Sequence, residues 1–304
     1  MPELPEVETI RIGLEKYLAG HKITSVEIKS HKTFQGDEKK IIGGEITATR
    51  RFGKVLVIDL DNDYSILTHL KLTGQYIYRG PNLPSPKELS SKVTGGVPGP
   101  HTLVIFNLDK GGILYYNDLR RFGWIRVVKT SEVETEPFIK KLGPEPFGGS
   151  TPSAGSGPSS LTTQGHGPKL LTLNIFRQIL SKTSRPAKIV LMDQTKMGGV
   201  GNIYANDALW LAAINPRRPA NNLQLEEQKK LYNAILSVLK AGIKWGGASD
   251  AAYVTPEGKE GLYQKYFLVY GRKGELCLRC KKAKIEKIVL GGRGTYFCPV
   301  CQKL

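Results

Sequence analysis

The four cysteines constrain this chain more than any other feature. They fall as Cys277-x2-Cys280, seventeen residues, then Cys298-x2-Cys301. Each C-x2-C turns into a tight knuckle that points two sulfurs at one ion, and the spacing is that of a tetrahedral thiolate site for structural zinc. Between the pairs, KIEKIVL and TYF read as two strands joined by GGRG (291–294). The expected module is therefore a zinc-pinned β-hairpin with Arg293 at its tip. Two disulfides are the alternative, which a cytosolic compartment disfavours; an iron–sulfur cluster is another. Four thiolates leave zinc no open position, so such an ion holds structure and does no chemistry. An arginine on a pinned hairpin could grip phosphates, or it could decorate a turn.

The other end of the chain poses a different question. It begins MPELPEVETI. Pro5 suits a first helical turn, where its missing N–H is no loss, and Glu6 and Glu8 favour the positive end of the helix dipole. Val7, Ile10, Leu14, Tyr17 and Leu18 recur at helical spacing and Gly20 is a natural stop, so residues 5–19 predict an amphipathic helix. Pro2 lies outside it and gains nothing from it. Aminopeptidases commonly remove Met before a small residue, which would expose a secondary amine. That amine forms a cationic iminium with an aldehyde carbon and could attack the anomeric carbon of a sugar. Glu3 beside it could move protons at the ring oxygen. An inert terminus is the plain alternative.

Lys and Arg number 44 against 27 Asp and Glu, a net charge of +17. A surplus of that size points to a polyanion, most simply nucleic acid. No apolar run reaches the roughly 18 residues of a membrane span and no signal peptide opens the sequence, so the expectation is a soluble cytosolic protein. A length of 304 residues suggests about two domains.

After the first helix, segments such as IKSHKTF, EITATRRF, KVLVIDL, YSILTHLKL, QYIYRG, HTLVIFNL, GILYYNDL and WIRVVK cluster or alternate β-formers between turns. They predict a β-sandwich domain over 1–147, interrupted by a polar loop at 81–100. A Gly/Ser/Pro stretch at 148–168 reads as a flexible linker. From 169 to 269 the period becomes helical, over 170–180, 185–194, 202–213 and 224–243, with Pro186 in a first turn and Asn202 as an N-cap. Residues 246–269 look like a mobile loop, and 270–304 is the cysteine module. MGGVGN (197–202) offers N–H groups at a helix start, which can receive phosphate. NDLRRFGW (117–124) sets two arginines beside a ring that could replace a base pushed out of a duplex. His69, in an alternating strand, reads as structural.

PELPEVE at the start, RRFG at 120–123, GVGNIYA at 199–205 and YGRKGELCLRC…YFCPVCQ at the end together resemble the formamidopyrimidine-DNA glycosylases, bacterial enzymes that repair oxidised purines. The resemblance covers essentially the whole chain apart from the two polar insertions. It implies an α+β fold: an N-terminal helix with a β-sandwich, then a helix–two-turn–helix domain with a zinc-ribbon hairpin. It implies a glycosylase and AP lyase acting as a monomer on damaged double-stranded DNA, with one structural zinc on Cys277, Cys280, Cys298 and Cys301. Pro2 would be the Schiff-base nucleophile, Glu3 the proton donor and Glu6 its support. Lys54 would assist β-elimination and Arg293 δ-elimination. His101, Arg121, Lys188 and Asn202 match DNA-contacting positions, and Arg120 and Phe122 match two residues that fill the gap left by a flipped nucleotide. The loop around 248–263 matches a lid over the flipped base. Two positions depart: the third void-filler, usually methionine, is Leu72, and a basic residue near 184 is shifted to Arg185. An endonuclease VIII-like enzyme for oxidised pyrimidines is the near alternative; a non-catalytic zinc-ribbon DNA-binding protein is the distant one, against which Pro2, Glu3 and Lys54 speak.

Overall fold

The structure, a computed structural model, describes residues 1–81, 83, 89–148 and 169–304. The linker expected at 148–168 lies outside the described residues except for position 148. The chain divides into two compact units. One holds residues 1–140 and 245–262, the other residues 141–148, 169–244 and 263–304.

The first unit begins with helix α1 (Leu4–Leu18), whose N-cap is Glu3. It starts one residue earlier than the sequence pattern predicts, because Glu6, at the third helical position, turns back and accepts the Glu3 N–H at 2.7 Å. This carboxylate return satisfies a donor that the helix cannot, which stabilises a helix start by roughly 1 kcal/mol. At the other end Gly20 takes φ +76, the left-handed conformation that ends a helix without a Cβ penalty.

Nine strands follow: β1 (Ile23–Ile28), β2 (Phe34–Gln35), β3 (Ile46–Phe52), β4 (Val55–Leu60), β5 (Tyr64–His69), β6 (Gly74–Arg79), β7 (Thr102–Leu108), β8 (Ile113–Asp118) and β9 (Trp124–Lys129). They form a four-stranded sheet ordered β1-β7-β8-β6 and a five-stranded sheet ordered β2-β9-β5-β4-β3. The inward side chains of both sheets, among them Ile58, Ile66, Phe106 and Leu114, meet Val7, Ile10 and Leu14 of α1 in one core. Each such side chain, once fully buried, contributes roughly 2 kcal/mol. β1 is not where the sequence reading put a strand. ITSVEI pairs with β7, whereas IKSHKTF, read as a strand, is mostly a turn between β1 and β2. A short helix, α2 (Pro137–Lys140), closes the unit.

The second unit carries α3 (Leu173–Ser181), α4 (Ala187–Met192), α5 (Asn202–Leu211) and α6 (Leu225–Lys244). Two boundaries differ from the sequence reading: Pro186 is the N-cap of α4, and Gly201, not Asn202, is the N-cap of α5. Asn202 is instead its first helical residue. β10 (Glu286–Leu290) and β11 (Arg293–Phe297) form an antiparallel hairpin. Only Gly291 and Gly292 lie between them, with φ +58 and +70, so the turn needs two residues that tolerate the left-handed region. Arg293 is therefore the first residue of β11, opposite Leu290.

Candidate active site and nucleic-acid interface

In the first unit, Pro2 and Glu3 are buried immediately ahead of α1. Glu6, 1 % exposed, is the organising group. Its Oε2 accepts from the Glu3 N–H and its Oε1 accepts from the Ala248 N–H at 2.7 Å. One carboxylate therefore ties the chain terminus to the start of the 246–262 loop. Gly246 and Gly247, with φ +68 and +80, turn the backbone there, and a Cβ on Gly247 would press on the Glu6 side chain at 2.9 Å.

Lys54 is buried at the start of β4, beside the end of β5. Its neighbour His69 is held at a pKa of about 3, first by burial and then by the charges of Lys71 and Lys54. The His69 Nδ1 accepts the Lys71 N–H at 2.9 Å, and the ring packs edge-on against Phe138. A neutral, packed imidazole of this kind fits the structural role expected of it.

Leu72, Arg120, Arg121 and Phe122 sit on two turns that one residue joins. Asp118 Oδ1 accepts from the Thr73 hydroxyl and from the Arg120 N–H, while Oδ2 accepts from the Gly123 N–H at 2.7 Å. Its own N–H goes to the His101 carbonyl at 2.9 Å. Asp118 thus fixes the turn after β5, the turn after β8 and the start of β7 together. The sequence reading missed it, although an acidic residue just ahead of a polar turn is a common turn signal. The arginines and Phe122 project outward, Phe122 being 53 % exposed. The Arg120 guanidinium lies 4.9 Å from the centre of the Phe122 ring, a contact that holds the two side chains together at the surface. Gly123 is required: a Cβ there would overlap the Tyr116 hydroxyl.

Of the 246–269 loop, assigned from sequence to the helical domain and expected to be mobile, residues 246–262 pack with the sandwich unit and 263–269 with the helical one. The 246–262 part braces itself through Ser249, whose Oγ donates to the Tyr253 carbonyl at 2.7 Å and accepts the Gly261 N–H at 2.9 Å. The Tyr78 N–H, on β6, reaches the Pro256 carbonyl at 2.8 Å.

In the second unit, the glycine turn at 197–201 spends two donors internally: Gly198 N–H on the Pro144 carbonyl and Gly199 N–H on Gln194. What it can present to an anion is the first turn of α5, where helix N–H groups lack intrahelical partners. Asn202 stands in that turn. Arg185 is half exposed and pairs with Asp193 at 2.9 Å. Lys188 departs from the expected phosphate contact. It is fully buried, and its Nζ donates to the Gly294 carbonyl at 2.9 Å and the Thr295 hydroxyl at 2.7 Å. It holds the hairpin from behind, so Lys188 supports Arg293, which is exposed beside the glycine turn.

α5 anchors the rest of the module. Asn206 Oδ1 accepts the Tyr296 N–H at 2.7 Å, and buried Asp207 accepts the N–H groups of Leu268, Val269 and Tyr270. Burial raises the Asp207 pKa despite those donors. The four cysteine sulfurs lie within 4.8 Å of one another, with Cys277 and Cys301 at 3.8 Å and Cys280 and Cys298 at 3.7 Å. Disulfide sulfurs stand about 2.05 Å apart, so these cysteines are unbridged. Four thiolates at about 2.3 Å from one tetrahedral ion would be about 3.8 Å apart, which these two pairs match. Trp210 donates its indole N–H to Cys277 Sγ at 3.4 Å. Burial pushes the Cys277 thiol up, but N–H donors from Cys280 and Trp210 outweigh it and bring the pKa to about 6.

Comparison with known proteins agrees with this geometry. The profile of the formamidopyrimidine-DNA glycosylase N-terminal domain matches residues 1–125, that of the same enzymes' H2TH domain matches 167–253, and that of the zinc finger found in FPG and IleRS matches 271–304. The chain belongs to the formamidopyrimidine-DNA glycosylase family. Glycosylases of that name from Listeria innocua and Pelotomaculum thermopropionicum are 38 % and 37 % identical to it, with all of both chains aligned. Lactococcus lactis Fpg (MutM), solved with DNA containing N7-benzyl-Fapy-dG, superposes with a TM-score of 0.80 at 33 % identity, covering 100 % of each chain. Its complex with abasic-site DNA gives 0.80 at 32 %. As in that family, the protein is a DNA-repair glycosylase of α+β fold, and its cysteine cluster is the seat of one structural zinc rather than of an iron–sulfur centre. No helix among the described residues is long and apolar enough to cross a membrane.

Proposed function

We propose that the protein excises oxidised purines from duplex DNA and then cleaves the strand, using Pro2 as nucleophile. The observation that carries this reading is the mounting of Pro2 and Glu3 at the head of α1, with Glu6 tying them to the 246–262 loop. Removal of Met1 frees the prolyl nitrogen, which is otherwise an amide. The amine attacks C1′ of the damaged nucleotide; the glycosidic bond breaks, and the base leaves with the electron pair and takes up a proton. Glu3 protonates O4′ as the C1′–O4′ bond opens, leaving an iminium on Pro2. Loss of a C2′ proton then expels the 3′ phosphate, with Lys54 assisting. A second elimination, assisted by Arg293, expels the 5′ phosphate. Leu72, Arg120 and Phe122 fill the vacated stack, offsetting part of the few kcal/mol that extrusion of a base costs. His101, Arg121, Arg185 and Asn202 hold the phosphate backbone, and the loop around 248–263 covers the extruded base. Zinc keeps the hairpin folded and takes no part in the reaction.

Borohydride reduction tests the reading. It is expected to trap the Met1-free protein covalently on duplex containing 8-oxoguanine, and Pro2→Gly is expected to lose most of that adduct. Equal trapping of both proteins would remove Pro2 from the mechanism. A second reading, oxidised pyrimidines as substrates, has one support: the Lactococcus lactis relative has also been solved with an oxidised pyrimidine in its DNA, at 33 % identity to this chain. The same assay across purine and pyrimidine lesions separates the two.

A further inference from the structure

Residues 89–98 of the 81–100 loop have no place in the chemistry above, yet they are not a plain polar loop. Val93, 5 % exposed, packs with Ile77, Ile105, Tyr115 and Val254 in an apolar cluster of its own, flanked by Leu89 and Val97. Two of the segment's polar side chains, Ser90 and Lys92, reach the 246–262 loop. Ser90 donates its N–H to the Gly258 carbonyl at 2.9 Å and its hydroxyl to Glu260 at 2.8 Å. Lys92 Nζ pairs with Glu260 Oε2 at 2.9 Å and donates to the Ser249 carbonyl. Gln75, buried on the face of β6 that carries Ile77 and away from the sandwich core, uses one Nε2 for two carbonyls, that of Lys92 at 2.8 Å and that of Ala252. The fit is close: a Cβ on Gly258 would overlap Leu89.

The loop has no ladder of its own to fix its path: residues 246–262 contain neither helix nor strand. Its shape depends on groups that reach it from outside. Glu6 accepts the N–H of 248, Tyr78 N–H and Arg79 reach the carbonyls of 256 and 257, and Tyr17 reaches the Glu257 side chain. The 89–98 segment and its neighbour Gln75 supply the rest: Lys92 and Gln75 donate to the carbonyls of 249 and 252, and Ser90 bonds Gly258 and Glu260. The same segment continues to His101, one of the residues proposed above to hold the phosphate backbone. The Gly96 carbonyl accepts from Asn117 at 3.2 Å, the Gly99 N–H goes to Thr102 at 2.8 Å, and His101 lies between them in the chain. Gln75, Lys92, His101 and Ala252 line one small cleft.

We infer that residues 89–98 form a strap that positions the 249–258 loop, with Lys92 and Gln75 as the positioning residues that set how closely the loop can close on a damaged base. The inference rests on the reading of that loop as a lid over the base. Recognition of a base requires the lid; cleavage at a sugar that has already lost its base does not. The strap should therefore matter for the first step alone.

The test compares wild type, Lys92→Met, Lys92→Arg and Gln75→Leu on two duplexes, one containing 8-oxoguanine and one carrying a preformed abasic site. Loss of one charge-assisted hydrogen bond to a backbone carbonyl is expected to slow single-turnover excision by Lys92→Met roughly tenfold. Cleavage at the abasic site should stay within about twofold of wild type, because a step without a base draws nothing from the lid. Lys92→Arg, which keeps a cation and its donors, should recover most of the excision rate. Hydrogen exchange should quicken at the amides of 248–258 in Lys92→Met and not in α1. Wild-type excision by Lys92→Met, or a parallel fall on both duplexes, or exchange unchanged in the loop, overturns the strap. A wild-type protein that fails to be trapped on the abasic duplex would instead sink the catalytic reading.

Discussion

Lys188 and Arg293 make opposite predictions about salt. Both are basic, and a sequence match gives both to DNA, but only Arg293 is exposed; Lys188 is fully buried with its ammonium on Gly294 and Thr295. A protein that neutralises a phosphate releases condensed counterions, and each such contact adds about −0.9 to the slope of log affinity against log salt. Arg293→Ala should therefore make the slope about 0.9 less negative. Between 50 and 200 mM salt, the affinity gap to wild type should narrow by about 3.5-fold, which is fourfold salt raised to that slope. Lys188→Met should behave differently. It removes a buried charge that orders the hairpin, so affinity should fall at every salt concentration while the slope stays at the wild-type value. Fluorescence anisotropy with an abasic-analogue duplex at four salt concentrations reads both numbers. A Lys188→Met slope that drops by as much as that of Arg293→Ala would refute the argument, since it would mean that the buried ammonium meets a phosphate.

The other expectations are more direct. Glu6→Gln keeps the shape but turns one acceptor into a donor facing a backbone N–H. Losing one charged hydrogen bond costs roughly 2 kcal/mol, a drop of about 3 °C in thermal midpoint for 304 residues, and borohydride trapping should fall with it; an unchanged midpoint would deny Glu6 its bridging role. Removing zinc, or Cys298→Ser, should unfold the 277–301 module and abolish DNA binding; calorimetry and anisotropy check both, and retained affinity would make the module dispensable. His69 is folded in its neutral form, with its pKa lowered from 6.5 to about 3. The stability that this contributes is complete above pH 6.5 and is lost as pH falls toward 3. Between pH 7 and pH 4 the loss should reach roughly 3 kcal/mol, and His69→Gln should flatten that slope in urea titrations.

What could be read from sequence was whatever is local. The cysteine spacing led to the zinc module, and apolar periodicity located α1, α3, α5 and α6 to within a few residues. It failed for β1 because ITSVEI gains its identity from pairing with β7, more than seventy residues away, and no window contains that partner. The N-cap of α5 slipped by one because Asn and Gly are both acceptable caps and the choice depends on the preceding turn. Lys188 was misplaced because a motif fixes a residue's position in the chain and not the direction of its side chain. Asp118, Gln75 and Lys92 were invisible for a related reason. Each works by joining segments far apart in sequence, and nothing next to them records it. The apolar residues of 89–98 were diluted by serines, glycines and a proline, so the composition read as a loop while three of its residues were building a cluster.

Glu6 has a mechanical consequence. Its two oxygens share one carbon, so the Glu3 N–H on Oε2 and the Ala248 N–H on Oε1 cannot move independently. On the proposed mechanism, a base too bulky to fit beneath the loop would lift it at 248, rotate that carboxylate and tilt Pro2. The wrong base would then still be held, but the nucleophile would be mis-aimed at it. Discrimination of this kind costs turnover and leaves occupancy alone: poor substrates would compete for the enzyme almost as well as good ones while reacting far more slowly.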